Sequence, residues 1–265
     1  MVSLKENTVM LSRPKRLGEM LGLWAGSVVA PMSAIGSWLR RSRFFHPQGI
    51  YFKAEVQVAM MNPTPPFDTI AQGLSQGDAL VRLSAGIWDM KRGLFPDVLG
   101  FAIRFNTDAA ADFEPQHDSQ DLLLATSRRL ITLPLAPLMT NQRDFLANNY
   151  YGMARFELAE QPNMILRIKP LTQSASSNKN RYDKIRDAVT SGDVDFLLEA
   201  ASKSDPNNWF ALVRIRLQTE VDLDDRMVKF WPFLIGQDIR PQGFTQFMRP
   251  IPYLSSQWAR DARGR

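Results

Sequence analysis

The chain has no cysteine and only two histidines, His46 and His117. Without thiols there are no disulfides and no thiolate metal sites, and a reducing, cytoplasmic compartment is the expectation. Two histidines alone also leave a zinc site short of its usual ligands. The Walker loop, the GxGxxG fingerprint, the HExxH pair and the GxSxG elbow are all missing, so the commonest nucleotide, zinc-protease and serine-hydrolase signatures are not here. Basic residues are not blocked into a patch and no nucleic-acid-binding motif is visible, so nucleic acid is not an expected partner. Asp222, Asp224 and Asp225 cluster in "VDLDD", but no glycine follows at calcium-loop spacing, and the cluster reads as a solvated turn. His117 stands in the polar stretch "EPQHDSQ" and reads as an exposed loop residue.

What remains is a chain of 265 residues, 45% hydrophobic and 22% charged, which supports a sizeable core. The net charge of +5 suits an anionic lipid surface or an anionic cofactor. Met20 to Leu39 carries no charge and is flanked by Arg13, Lys15 and Arg16 before it and by Arg40, Arg41 and Arg43 after it. It is long enough to cross a bilayer. Its Gly and Ser content and Pro31 favour a packed arm or an oligomer contact, ahead of a membrane-surface segment and then a spanning helix. There is no signal-peptide pattern.

From Ile50 onward, apolar and polar residues alternate: Ile50, Phe52, Ala54, Val56 and Val58 against Tyr51, Lys53, Glu55 and Gln57. That period of two predicts a half-buried strand. Further strands are predicted at 79–86, 99–106, 121–127, 164–171 and 208–221, with one more within 226–236. Arg82 and Arg104 each sit inside an otherwise apolar strand. "TDAAADFEPQHDSQ" reads as a loop, "RDFLANNYYGMARFELA" begins helix-like, and "DKIRDAVTSGDVDFLLEAASKS" reads as two short helices broken at Gly192. Many short strands without a βαβ rhythm predict an α+β, mainly β chain: an antiparallel sheet or barrel with appended helices. The domain expectation is an arm over 1–42 and one barrel domain over 43–265.

Five segments in order resemble the haem catalases. Arg43, His46 and Gly49 form R-x-x-H-x-x-G directly before a strand. "VRLS", with Arg82 and Ser84, is similar to the catalase strand carrying an arginine and a distal serine. "PDVLGFAIRF" and "DLLLAT" are similar to the two strands after it. Near the C-terminus, Arg249 and Tyr253 stand in R-x-x-x-Y within "PQGFTQFMRPIPYLSS", the spacing of the arginine and the iron-ligating tyrosine. The lead-in and the following serine look like the short, catalase-related proteins that lack the full-length enzyme's extra domains. The likeness covers residues 40–130 and 205–260.

The resemblance implies a catalase-like antiparallel β-barrel with flanking helices and an N-terminal arm, holding haem b. It implies Tyr253 as the iron ligand and Arg249 as its electrostatic partner, since a phenol of pKa about 10 must lose its proton to bind ferric iron. It implies Arg43 and Arg82 on the haem propionates. It implies His46 as the distal acid–base, with Ser84 beside it. Where the family has an asparagine holding peroxide, this chain has Ala125 and Thr126, and the Thr126 hydroxyl takes that role. The implied function is a haem-dependent peroxidase acting on hydrogen peroxide or a lipid hydroperoxide. The alternative is a haem-free barrel used as a binding or assembly module, membrane-associated through Met20–Leu39. A homo-oligomer is expected in either case.

Overall fold

A computed structural model describes residues 19–21, 24, 49–59, 66–86, 97–128, 135–192, 194–224 and 228–243. Ten strands form one antiparallel sheet: β1 (Gly49–Val58), β2 (Asp78–Ala85), β3 (Leu99–Thr107), β4 (Pro115–Ala125), β5 (Tyr150–Tyr151), β6 (Arg155–Leu158), β7 (Gln161–Pro170), β8 (Val194–Ser202), β9 (Phe210–Val221) and β10 (Ile239–Gln242). The order β7-β5-β4-β3-β2-β1-β9-β8 closes on itself through the β7–β8 pairing, and β6 and β10 extend from β7. Closure of eight strands removes the open edges that would otherwise invite aggregation. Register shifts in β1, β2, β3, β6 and β8 bend the strands where the ring turns.

The barrel interior is filled by the apolar set of each alternation. Ile50, Phe52, Ala54 and Val56 of β1 share one core with Val81 and Leu83 of β2, Phe101 and Ile103 of β3, Phe196 and Leu198 of β8, and Ile215 of the adjoining β9. Phe101 packs edge-on to Phe196 at 5.0 Å and tilts against Tyr150 at 5.4 Å. The lumen is therefore a packed core, and any ligand face must lie on the outside or at an end. Helix α1 (Phe67–Leu74) joins β1 to β2 and closes one end, burying Ile70, Ala71 and Leu74. A second, one-turn helix, α2 (Ala136–Met139), follows β4. Helix α3 (Arg181–Ser191) joins β7 to β8 and closes the opposite end with Tyr182 and Ile185. Asn180 caps it by accepting from the Tyr182 N–H, and Arg186 ties it to Glu220 of β9 through two bonds of 2.8 Å.

The expected class, mainly β with flanking helices, is present, and four local expectations are corrected. Residues 194–202 form a central strand, not a second helix. Val194, Phe196, Leu198 and Ala200 point inward while Asp195 and Glu199 point out, a period of two that Leu197 and Ala201 obscure in sequence. The helix-like start at 143 amounts to a single 3-10 turn, Phe145–Ala147, capped by Asp144, before two strands. Pro115–Gln120 belongs to β4 rather than to a loop, and exposed His117 lies on it. Residues 228–234 are not a strand but a strap across the outside of the barrel.

Glu19, Met20, Leu21 and Trp24 are helical, and the last three are exposed. Among the described residues no helix is long and apolar enough to cross a membrane.

Candidate functional site

The outer face of β1–β4 carries the described residues predicted for the site. Residues directly opposite each other across an antiparallel pair project to the same face, so the register assembles three rows. The first is Gly49–Ser84–Gly100–Ala125. The second is Tyr51–Arg82–Ala102–Leu123, and the third is Lys53–Leu80–Arg104–Asp121. The first row has no side chain larger than a serine. It forms a shallow floor over four strands, with a buried cation from the second row beside it.

That cation is Arg82, 2% exposed. Its Nε donates to the Tyr51 hydroxyl at 3.1 Å, and its guanidinium carbon lies 5.6 Å from the Tyr51 ring centre. It also leans across Gly49, where an added Cβ would fall 2.5 Å from Nε. The missing side chain of Gly49 makes the room that Arg82 occupies. Ser84 is 3% exposed on the same face, two residues along β2. Thr126 follows directly after the first row, but its hydroxyl is committed elsewhere. It accepts from the Leu99 N–H at 3.1 Å and bonds Thr140 Oγ1 at 2.8 Å, and Thr140 in turn donates to the Ala136 carbonyl. Since Thr140 spends its one proton on Ala136, Thr126 is the donor between them. The hydroxyl expected to hold peroxide thus knits β3 to α2.

The third row is closed over by the strap. Arg104 donates from Nε and Nη2 to the Asp121 carboxylate, at 2.8 Å each, and from Nη2 to the Lys229 carbonyl at 2.6 Å. Asp121 also accepts from the Trp231 N–H at 2.7 Å. Burial raises the Asp121 carboxyl above the ordinary carboxylate value, while the charge and hydrogen bonds of Arg104 and the Trp231 N–H pull it back. Val228 and Phe230 then cover Tyr51 and Leu80. The arginine of β3 is thus structural, whereas the arginine of β2 borders the small-residue floor.

Arg43, His46, Arg249 and Tyr253 lie outside the described residues. Among the described residues, the register places Arg82 and Ser84 on one face of β2. What the sequence did not show is Tyr51. The alternation puts it on the face of β1 away from the core, but only the cross-strand register places it opposite Arg82.

Two features of this face suit a flat tetrapyrrole: the first row carries only short side chains, and Arg82, lying over Gly49, supplies a cation for a carboxylate substituent. Among the described residues no cluster of His, Cys, Asp and Glu could hold a metal ion by itself.

No family model and no curated protein matches the chain. Among solved structures it is similar to one described as a bacterial catalase, with a TM-score of 0.57 and 12% sequence identity. The match covers 83% of this chain and 57% of that one, so the chain spans little more than half the catalase's length. Identity at this level speaks to fold alone, and the fold is a catalase-like, closed eight-stranded antiparallel β-barrel with few helices.

Proposed function

We propose that the outer face of β1–β4 binds haem and that the protein metabolises hydroperoxides. The observation that carries this reading is the Gly49–Ser84–Gly100–Ala125 floor with Arg82 buried beside it. Arg82 holds a propionate, joined by Arg43 from the segment just before β1. Tyr253, ten residues beyond Gly243, is the iron ligand, with Arg249 favouring its phenolate. Haem bound there supplies the electrons and the metal centre that open the O–O bond of a hydroperoxide. His46, three residues before Gly49, moves a proton from one peroxide oxygen to the other, and Ser84 contributes a hydroxyl from the floor. Leu135, Leu138 and Met139 are exposed around Ala136, which packs on Ala125 at the end of the floor. That apolar lip favours a lipid hydroperoxide over hydrogen peroxide as substrate.

The deciding experiment is an absorption spectrum of full-length protein produced with ample haem. A Soret band at one haem per chain is expected, and Tyr253→Phe is expected to shift or abolish it. His46→Ala is expected to keep haem and to lose hydroperoxide turnover by about a hundredfold or more, the scale of a lost general acid–base. Wild-type protein without stoichiometric haem would end the enzyme reading. Full turnover in His46→Ala would end the distal role of that residue.

A further inference from the structure

We propose that the exposed apolar turn between β4 and β5 docks the protein on an anionic lipid bilayer. The proposal stands on this surface alone and does not need haem.

Leu138 and Met139 of α2 are the two most exposed large hydrophobic side chains among the described residues, at 77% and 84%. Leu135, also exposed, stands three residues before Leu138 and four before Met139, so the three share one side of the turn. The opposite side holds Ala136, buried with Val98 and Ala125. Single exposed apolar residues are ordinary, but three together on one fixed turn mark a contact surface. The turn is fixed because Thr140, which ends it, bonds the Thr126 hydroxyl just after β4 at 2.8 Å. Its backbone also suits an apolar phase, where an unpaired N–H or carbonyl is costly. The Leu138 N–H donates to the Leu135 carbonyl at 3.1 Å, and Pro137 has no N–H. The Ala136 and Pro137 carbonyls accept at 2.8 Å from the Thr140 hydroxyl and the Gln142 side-chain amide. These side chains take over bonds that water would otherwise make. Charge then selects the kind of surface. From Leu122 to Arg143 the chain holds Arg128, Arg129 and Arg143 and no acid. Arg143 is exposed four residues after Met139 and forms no ion pair with a described residue. Asp144, the first acid beyond it, is answered by Lys184 Nζ at 3.9 Å. Apolar side chains beside arginines fit a membrane with anionic headgroups, since the first enter the acyl boundary while the second stay with the phosphates. Three side chains fall well short of the area of about 800 Å² that each partner of a stable protein pair buries, whereas an acyl boundary admits a small protrusion.

The test is flotation of the full-length protein with vesicles of phosphatidylcholine alone and of phosphatidylcholine mixed with phosphatidylglycerol. Wild type is expected to float with the mixed vesicles and several-fold less with the neutral ones. The double variant Leu138→Ser, Met139→Ser is expected to float about tenfold less with the mixed vesicles, the scale of two apolar side chains partly withdrawn from lipid. Arg143→Ser is expected to lose about fivefold, and with the mixed vesicles only. A second readout does not depend on those variants. The chain has no cysteine, so Leu138→Cys and Gln72→Cys each carry a single polarity-sensitive dye, the latter on the exposed side of α1. Addition of mixed vesicles is expected to shift the dye to the blue at residue 138 and not at residue 72. Wild type that stays in solution, or floats equally with both kinds of vesicle, would overturn the proposal. So would a double variant that floats like wild type, or equal dye responses at the two residues. A double variant that loses self-association while its flotation is unchanged would assign the turn to a second copy of the chain and overturn the proposal as well. None of these outcomes turns on haem, so a failure here leaves the haem reading standing.

Discussion

Two arginines in neighbouring strands look alike in sequence and serve different ends. Arg104 is fully enclosed with Asp121, and the strap closes over the pair through the Lys229 carbonyl and the Trp231 N–H. A buried pair of this kind gains little over apolar residues of the same shape, but removing one partner strands the other. Asp121→Ala should therefore destabilise the protein by about 3–5 kcal/mol, whereas the double variant Arg104→Met, Asp121→Leu should lie much closer to wild type. Urea unfolding of the three proteins measures the difference; equal losses in single and double variants would contradict it. Asp121 stands directly across the β3–β4 register from Arg104. Tyr51 was not foreseen for Arg82, because alternation gives the face of a residue but not its neighbour across the sheet.

At the scale of elements, β8 is the instructive case. Its apolar residues suited a helix as well as a strand until β7 and β9 took both of its edges. Its outward Asp195 then meets Arg214 and Arg216 of β9. Burial pushes the Asp195 carboxyl up, but the hydrogen bonds and charges of the two arginines outweigh it, and the group lies below its ordinary value. A carboxylate depressed in the folded state contributes stability above its unfolded pKa, and that contribution fades as pH falls through the folded pKa. Melting temperatures of wild type and Asp195→Asn should differ near neutral pH and converge as pH falls below the ordinary carboxylate range. A gap that stays constant with pH would show that Asp195 acts by packing rather than by charge. Helix α3 and strands β1, β2, β3 and β9 were legible beforehand because each has a clean period or cap. The strap was not, since "VKFWPFLIG" is apolar enough for a strand but runs across the barrel wall rather than beside a neighbour.

The whole molecule is a ring of eight strands with that strap drawn over one side. Gln120 holds it by donating to the carbonyls of Leu234 and Ile239 and accepting from the Gln237 N–H, and β10 then pairs with β6. Gly236 lies so close to β4 that a Cβ there would stand 2.2 Å from the Asp118 backbone. Gly236→Val should lift the strap at a cost of about 1–3 kcal/mol. Limited proteolysis should then cut within 228–243 while the barrel stays intact; a variant as resistant as wild type would mean that the backbone yields locally. The chain beyond Gly243 carries Arg249 and Tyr253, so in the haem reading the strap also leads toward the iron ligand. By itself the sequence determined the strand-rich class and the inward set of each clean alternation, because those follow from local periodicity and side-chain chemistry. Only the tertiary structure decided the closure through β7 and β8, the pairing of Arg104 with Asp121 and the meeting of Gly49, Tyr51, Arg82 and Ser84 on one outer face. Those depend on cross-strand register, which is set by the packing of residues distant in the chain.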